Sequence, residues 1–260
     1  MIGFLIRKTL YDLWDNMLRI VILNLGFIAA VSIPIFLPAL AVKFFSSIVL
    51  EIVLTALGIL ACSIYLAAAA ITLKSVSDYG SFGFRDFLKA FKTAWPAGLA
   101  IGFLVFVIFI VVTLVIPFYM AMESLVGLAL AAVIFWAIVF ALLAFQFYFT
   151  VYARLGSNLK KSFRKCMIIL LDNSGFSLFM ILHNIIVLVI SVVFVFMFPG
   201  PAGILLYLDE ALRLRLLKYD WLEENPGVNR KKIPWDVLLI DEREKTGTRS
   251  LRSFIFPWKD

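Results

Sequence analysis

Few polar side chains that could bind a ligand or move a proton lie inside the apolar segments of this sequence. His183, the only histidine, and its neighbour Asn184 lie about eight residues into one such segment, and Asn24 lies about seven residues into another. In helices that rise 1.5 Å per residue, all three share a depth of about 10–13 Å. If the two helices are neighbours, we expect Asn24 to hydrogen-bond to Asn184 or His183. Such a group is either a structural clamp between helices or a proton- or substrate-sensing site.

Motifs of enzymes and metal sites are absent from the sequence. No Walker loop, GxSxG elbow, CxxC pair or His/Glu metal motif occurs. Cys62 lies in an apolar segment and Cys166 in a basic one, without the spacing of metal ligands. The sequence therefore predicts no enzyme and no cofactor. Gln146, in another apolar segment, is expected to donate a hydrogen bond between helices.

The segments that must position these side chains are long and apolar. Hydrophobic residues make up 63% of the 260 residues, and the mean hydropathy is +1.02, whereas a soluble domain is about 45–50% apolar. Five stretches reach about the 20 residues that span a membrane. The sequence therefore predicts an all-α, polytopic helical membrane bundle. The net charge of +7 lies beside these stretches, so it indicates topology and anionic headgroups rather than nucleic-acid binding.

Three amphipathic stretches precede apolar hairpins. Residues 4–17, residues 84–95 and the basic stretch after Arg154 each place apolar side chains on one helical face. We expect them to lie flat in the membrane interface as elbows, which gives three elbow-helix-plus-hairpin units and about six spans. Alternatively, they form a docking face for a partner. The side chains expected to contact a partner or the membrane surface are Arg85, Lys89, Lys160, Lys161, Arg164, Lys165 and Trp258.

Residues 202–217 decide whether a sixth helix exists. Asp209 and Glu210 interrupt this apolar segment, and we expect them to pair with Arg213 and Arg215 at i,i+3 and i,i+4 spacing. With the N-terminus inside, 12 Lys and Arg residues lie on the cytoplasmic side. A sixth helix also keeps inside the 11 Lys and Arg residues that follow residue 212. The positive-inside rule therefore favours six spans with both termini cytoplasmic.

The last part of the chain is polar. We predict a helical membrane domain over residues 1–218 and a polar cytoplasmic tail over residues 219–260. The tail is either partly disordered, because its composition is rich in charge, or it docks through its aromatic end near Trp258 on the membrane surface or on a partner.

An ordered set of short motifs runs from about residue 10 to residue 220. It comprises Leu13-Trp-Asp-Asn-Met17, Ile22-Leu-Asn-Leu25, Ser32-Ile-Pro34, Ile71-Thr-Leu-Lys74, Phe84-Arg-Asp-Phe-Leu-Lys-Ala-Phe91, Tyr152-Ala-Arg154, Asn158-Leu-Lys160 and Ser162-Phe-Arg-Lys165. In order and spacing the set resembles the YesL family of bacterial membrane proteins. Leu37-Pro-Ala-Leu40 departs from the family, whose members usually carry a threonine-rich turn there. The resemblance implies no established activity, and it implies an association with carbohydrate ABC-transport systems.

These observations predict a non-enzymatic accessory or regulatory subunit in the bacterial cytoplasmic membrane, associated with carbohydrate uptake. Its expected partners are the lipid bilayer with its anionic headgroups and an ABC-transporter subunit or another membrane protein. The alternative is a small secondary transporter or a lipid-handling protein that uses the shared depth of Asn24, His183 and Asn184.

Overall fold

The computed structural model describes residues 1–156, 158–229 and 233–247, and this part of the chain forms helices without strands. The helices are α1 (Ile2–Asp15), α2 (Met17–Phe45), α3 (Ile48–Ser77), α4 (Phe84–Ile110), α5 (Ile116–Met120), α6 (Leu125–Phe145), α7 (Tyr148–Leu155), α8 (Leu159–Asp172), α9 (Ser174–Val193), α10 (Gly200–Glu224), α11 (Trp235–Leu238) and α12 (Ile240–Thr246). A π-helical turn, Val111–Val115, joins α4 to α5. Trp258 lies outside the described residues.

Five helical stretches in the described part are long and apolar enough to cross a membrane. They are Met17–Phe45, Ile48–Ser77, Phe84–Met120, Leu125–Leu155 and Ser174–Val193. Many of their large apolar side chains are exposed on the outside of the bundle, as expected where lipid rather than protein is the apolar neighbour. These stretches confirm the predicted all-α membrane bundle.

Helices α3 and α4 pack against each other through small side chains. Ala67–Ala70 on α3 and Ala94 and Ala97 on α4 are buried. A Cβ atom at Gly98 would overlap the backbone of Ile64, so glycine is required where the two helices meet. Close backbone approach gives dispersion contacts along the whole pair, and this hairpin forms the frame on which the other helices pack.

The three predicted amphipathic stretches differ in outcome. Helices α1 and α8 are separate elements of 14 residues each, as expected. The predicted elbow over residues 84–95 is not separate, because α4 continues from Phe84 through Pro96 to Ile110. Proline removes one backbone hydrogen bond, and the packing of the surrounding turn on α3 keeps the helix continuous.

The predicted sixth helix is present and longer than expected. Helix α10 has 25 residues, and the predicted domain boundary at residue 218 falls inside it. It is not one of the five apolar stretches in the described part. Asp209 and Glu210 at its middle are 0% and 1% exposed, because α1, α3 and α7 pack around it. The charged middle of α10 is therefore enclosed by other helices.

Part of the predicted tail packs against the bundle. Leu239, between α11 and α12, is fully buried, and Trp235 contacts the hydrophobic core. The described residues 233–247 are therefore docked on the helical domain rather than separate from it.

Candidate functional site

A guanidinium–carboxylate pair joins α7 to α10. Arg154 donates to both carboxylate oxygens of Asp209, at 2.8 Å from Nε to Oδ1 and 2.5 Å from Nη2 to Oδ2. The same guanidinium donates to Ser77 Oγ at 2.8 Å and to Asp78 Oδ1 at 3.0 Å. Because the guanidinium is a rigid fork, the contact with Asp209 fixes orientation as well as charge. Arg154 thereby links the end of α3 and helix α7 to the buried face of α10.

The carboxylate of Glu210, next to Asp209 in α10, bonds to two side chains of α1. Thr9 Oγ1 donates to Glu210 Oε2 at 2.5 Å, and Lys8 Nζ donates to Glu210 Oε1 at 3.4 Å. Lys8 Nζ also donates to Asp12 Oδ2 at 2.5 Å and to the carbonyl oxygen of Ser77 at 3.1 Å. A buried ammonium group requires several acceptors to offset the loss of water. Lys8 has three, so α1, α3 and α10 meet around one cation.

The face of α1 that packs inward differs from the apolar stripe of its sequence. Lys8 and Thr9 are 2% and 3% exposed, whereas Leu10 and Trp14 are 52% and 39% exposed. The polar side chains turn inward because Glu210 supplies their partners. Leu10 and Trp14 of the apolar stripe point outward, as an interfacial helix requires, whereas Leu13 is buried in the core.

Arg213, one turn after Glu210, anchors the last described helix. It donates to the carbonyl oxygen of Ser77 and, at 2.7 Å, to Glu242 Oε1. The hydroxyl of Tyr79 donates to Glu242 Oε2 at 2.9 Å. Helix α12 is thus fixed to α3 and α10. We define the charged cluster as Lys8, Asp12, Asp78, Arg154, Asp209, Glu210, Arg213 and Glu242.

The predicted pairing within α10 is wrong. Asp209 and Glu210 find their partners on other helices, and so does Arg213. Arg215 lies with its guanidinium carbon 3.7 Å from the ring centroid of Phe176, where burial lowers its pKa to about 10. Pairs at i,i+4 spacing are weak and exposed, whereas tertiary packing places opposite charges from several helices around α10.

Burial dominates the ionisation of the two central carboxyl groups. It raises the pKa of Asp209, although the hydrogen bonds and charge of Arg154 oppose this. It raises the pKa of Glu210 well above its ordinary value, against the opposing charge of Lys8. Both shifts follow from removing a charged form from water. The cluster can hold helices together, and its two central carboxyl groups can gain or lose protons as the pH changes. Its cations and carboxylates form hydrogen bonds with one another.

Asn24 forms a separate neutral site at the turn before α10. Its amide nitrogen donates to the carbonyl oxygens of Met197 at 3.0 Å and Pro199 at 2.8 Å. Its oxygen accepts from the backbone nitrogen of Ala202 at 2.9 Å. Backbone groups at a helix start lack partners within the helix, and this buried amide supplies three bonds to them. We call this site the amide turn.

The predicted contact of Asn24 with His183 or Asn184 is therefore wrong, because the nitrogen and the oxygen of the Asn24 amide both bond to the amide turn. The imidazole of His183 instead stacks on the ring of Tyr207, with centroids 3.8 Å apart. The pair lines an apolar cavity of about 290 Å³. His183 Nδ1, Asn184 Oδ1 and the Tyr207 hydroxyl are buried without a hydrogen-bond partner in the described part.

The prediction for Gln146 is confirmed. Its side-chain nitrogen donates to the carbonyl oxygen of Ser177 at 2.9 Å, across from α6 to α9. It also donates to the carbonyl oxygen of Leu143 at 3.1 Å within its own helix. Gln146 therefore links the two helices at the level where α6 ends.

The predicted contact residues form an exposed set on α4 and α8, which touch each other. We define the basic surface as Arg85, Lys89, Lys160, Lys161 and Arg164, all of which are exposed. Lys165 is half-buried and donates to the carbonyl oxygen of Leu155 at 3.2 Å. The structure therefore leaves five of these six cations available to a partner.

Sequence reasoning missed the charged cluster although a signal was present. Acidic residues within an apolar segment require buried cations, and Lys8 and Arg154 both lie at the edge of apolar segments. Matching charges of opposite sign between segments would have suggested these pairs. The choice of partner needed the three-dimensional arrangement.

Comparison with known proteins identifies no relative of this chain. No protein-family model, curated protein or solved structure matches this chain. The resemblance to the YesL family stays a prediction, and the function must be argued from the geometry.

Proposed function

We propose that this protein is a non-enzymatic accessory subunit that docks on another membrane protein through the basic surface. One contrast carries the proposal. Among the cations that pack between helices, Lys8, Arg154, Arg213 and Lys218 each contact a carboxylate and Arg215 stacks on Phe176. In contrast, no carboxylate in the described part lies within ion-pair distance of any cation of the basic surface. Unpaired cations on a rigid helical frame favour an acidic partner surface, because complementary charge speeds and orients docking.

The finer parts of the proposal rest on charge distribution and resemblance. We place the protein in the bacterial cytoplasmic membrane with both termini inside, because this arrangement puts the basic surface on the cytoplasmic side. The partner we propose is a subunit of a carbohydrate ABC-type uptake system, as the resemblance to the YesL family implies. This orientation is tested by introducing a single cysteine at Lys160 or at Lys43 and labelling it from either side of the membrane. We expect the cysteine at position 160 to react from the cytoplasmic side and the one at position 43 from the outside.

Affinity purification in mild detergent tests the docking itself. The test variant reverses Lys160, Lys161 and Arg164 to Glu. A control with the same change of net charge reverses three exposed cations elsewhere, Arg7, Lys43 and Lys245. We expect the full-length protein and the control to retain a transporter subunit and the test variant to lose it. Recovery of no partner by the full-length protein, or equal loss by both variants, contradicts the proposal.

The stacked pair of His183 and Tyr207 favours a second function, a small secondary transporter. Unpartnered polar atoms beside an apolar cavity resemble a binding site for a mostly apolar substrate with one polar group. In reconstituted vesicles, His183→Phe keeps an aromatic ring but removes the imidazole nitrogens. Substrate-dependent transport that this change abolishes would favour the transporter, and absence of transport in the unaltered protein would exclude it.

A further inference from the structure

A groove between α2 and α4 is distinct from both the charged cluster and the His183 cavity. Its volume is about 800 Å³, within the range of about 300–1,000 Å³ that small-molecule sites occupy. Its walls are mostly apolar. We define the aromatic groove by Arg19, Ile22, Tyr65, Phe84, Phe87 and Phe91, which line it.

The aromatic wall of this groove is fixed by its own contacts. The Tyr65 hydroxyl donates to the carbonyl oxygen of Leu23 at 2.8 Å, so its polar end is engaged with α2. The Tyr65 ring meets Phe87 edge to face at a centroid distance of 5.3 Å, and Phe87 meets Phe91 at 5.0 Å. Such pairs are favourable beyond their buried area. The groove therefore presents a rigid apolar surface to whatever lies in it.

One cation stands at the end of this apolar surface. Arg19 is exposed and donates to Asn16 Oδ1 at 2.7 Å, and its guanidinium lies 6.0 Å from the ring of Phe82. No carboxylate in the described residues lies within ion-pair distance of it. A guanidinium has five donors and matches the geometry of phosphate, so most of its capacity for hydrogen bonds stays available.

Arg19 is the only charged side chain among the residues that line the groove. The nearby carboxylate of Asp86 accepts from the backbone nitrogen of Gly83 at 3.0 Å and so caps the start of α4. The groove therefore has the single cation Arg19 at its end, and its length is apolar.

We propose that the aromatic groove binds one anionic phospholipid, with the phosphate on Arg19 and an acyl chain against the aromatic wall. From Arg19 to Gly26 the groove follows α2 for about 10 Å, roughly a third of the hydrocarbon thickness of a bilayer. It thus holds the part of a chain nearest the headgroup. A soluble anion leaves the aromatic wall unused, and a zwitterionic lipid brings a second cation next to Arg19.

This site is independent of the docking proposed above. It uses α2 and the groove side of α4, whereas the docking test alters α8. Loss of partner binding in the triple α8 variant leaves the lipid proposal intact, and failure to bind lipid leaves the docking proposal intact.

Native mass spectrometry of the full-length protein, delipidated in detergent, tests the proposal with phosphatidylglycerol and phosphatidylcholine as probes. We expect phosphatidylglycerol to bind roughly tenfold more tightly, and Arg19→Gln to remove that preference, as expected for loss of a charge-assisted hydrogen bond. Lys160→Gln removes the same charge from α8 and is the matched control, expected to change affinity less than about twofold.

A second variant examines the acyl chain. Ile22 is 60% exposed in the groove wall, so Ile22→Trp fills the groove without disturbing the core, and we expect it to weaken binding of both lipids. Three results overturn the proposal: equal loss in Arg19→Gln and Lys160→Gln, unchanged phosphatidylglycerol affinity in Ile22→Trp, or displacement of the lipid by inorganic phosphate at equal concentration.

Discussion

The charged cluster and the amide turn both bury polar groups against α10, but they do so by opposite means. In the cluster, Asp209 and Glu210 bond to cations from α1 and α7. At the amide turn, neutral Asn24 bonds to backbone atoms of the segment that leads into α10. The first joins charged side chains of different helices, and the second joins a side chain of α2 to the backbone at the start of α10.

The difference bears on how each site tolerates change. Replacing one member of a buried ion pair leaves an uncompensated charge, whereas replacing both is often nearly neutral. Replacing the asparagine leaves neutral backbone groups unsatisfied, which costs less for each group. We therefore expect the cluster to show strong coupling between variants and the amide turn to show a smaller, local effect.

The largest expected effect is that of Arg154→Met. Asp209 then keeps a buried carboxyl group without its main partner, and we expect the free energy of unfolding to fall by about 3–5 kcal/mol. Denaturant unfolding in detergent measures this. The double variant Arg154→Met with Asp209→Leu is the control and should recover much of the loss. Equal destabilisation of the single and double variants would remove the basis of the comparison.

A smaller loss is expected for Asn24→Leu. The carbonyl oxygen of Met197 and the backbone nitrogen of Ala202 lose their partner, whereas the carbonyl oxygen of Pro199 keeps the backbone nitrogen of Gly203. We therefore expect about 2–3 kcal/mol of destabilisation. Ser32→Ala serves as the control on the same helix, because that exposed hydroxyl bonds only to its own helix. The same unfolding assay applies. A change for Asn24→Leu no larger than the control's would show that the turn does not need the amide.

The pH dependence of stability should separate the two sites further. Since the pKa of Glu210 is raised in the folded state, the folded protein binds more protons than the unfolded chain above the unfolded carboxyl pKa. Stability therefore falls as pH rises through this window, by at most about 1.4 kcal/mol per pH unit for each group. Asp209 acts with the same sign.

Unfolding measured from about pH 4 to about pH 8 tests this dependence in the Glu210→Gln variant. We expect the slope to become shallower in Glu210→Gln and to persist in Asn24→Leu. Glu244→Gln, at an exposed carboxylate, is the matched control and should keep the slope. A slope that Glu210→Gln leaves unaltered would assign the pH dependence to other groups.

The smallest effect is expected at His183. Its Nδ1 has no hydrogen-bond partner in the described part, so His183→Phe keeps the stacking on Tyr207 and should change stability by less than about 1 kcal/mol. His183→Ala loses the stacking and leaves a cavity, so it should cost more. Similar losses in both variants would mean that the imidazole nitrogens, rather than the ring, stabilise the pair.

Hydropathy and amphipathic periodicity predicted much of the fold. The five apolar stretches and the separate helices α1 and α8 follow from local patterns of the chain. The helix over residues 202–217 was predicted from the distribution of Lys and Arg along the chain. The continuous helix through Pro96 could not be predicted, because it depends on packing against α3. The inward face of α1 was missed for a related reason, since Lys8 turns inward only when Glu210 is opposite it.

The candidate sites were less accessible to sequence reasoning. Asn24 and His183 were singled out because of their shared depth, but equal depth does not establish contact. Asn24 bonds to the turn because a helix start nearby needs donors and acceptors, and that turn is formed by residues about 175 positions away. Such a long-range pairing has no local signature.

The contact between Lys8 and Glu210 also has a consequence in time. The two residues are separated by 202 positions, and at 5–20 residues per second a ribosome needs roughly 10 to 40 s to add the chain between them. During this interval Lys8 of α1 cannot bond to Glu210, because α10 has not been made. All five apolar stretches are synthesised before Glu210. Helix α1 is therefore made before the other described helices and is among the last of them to reach its final place.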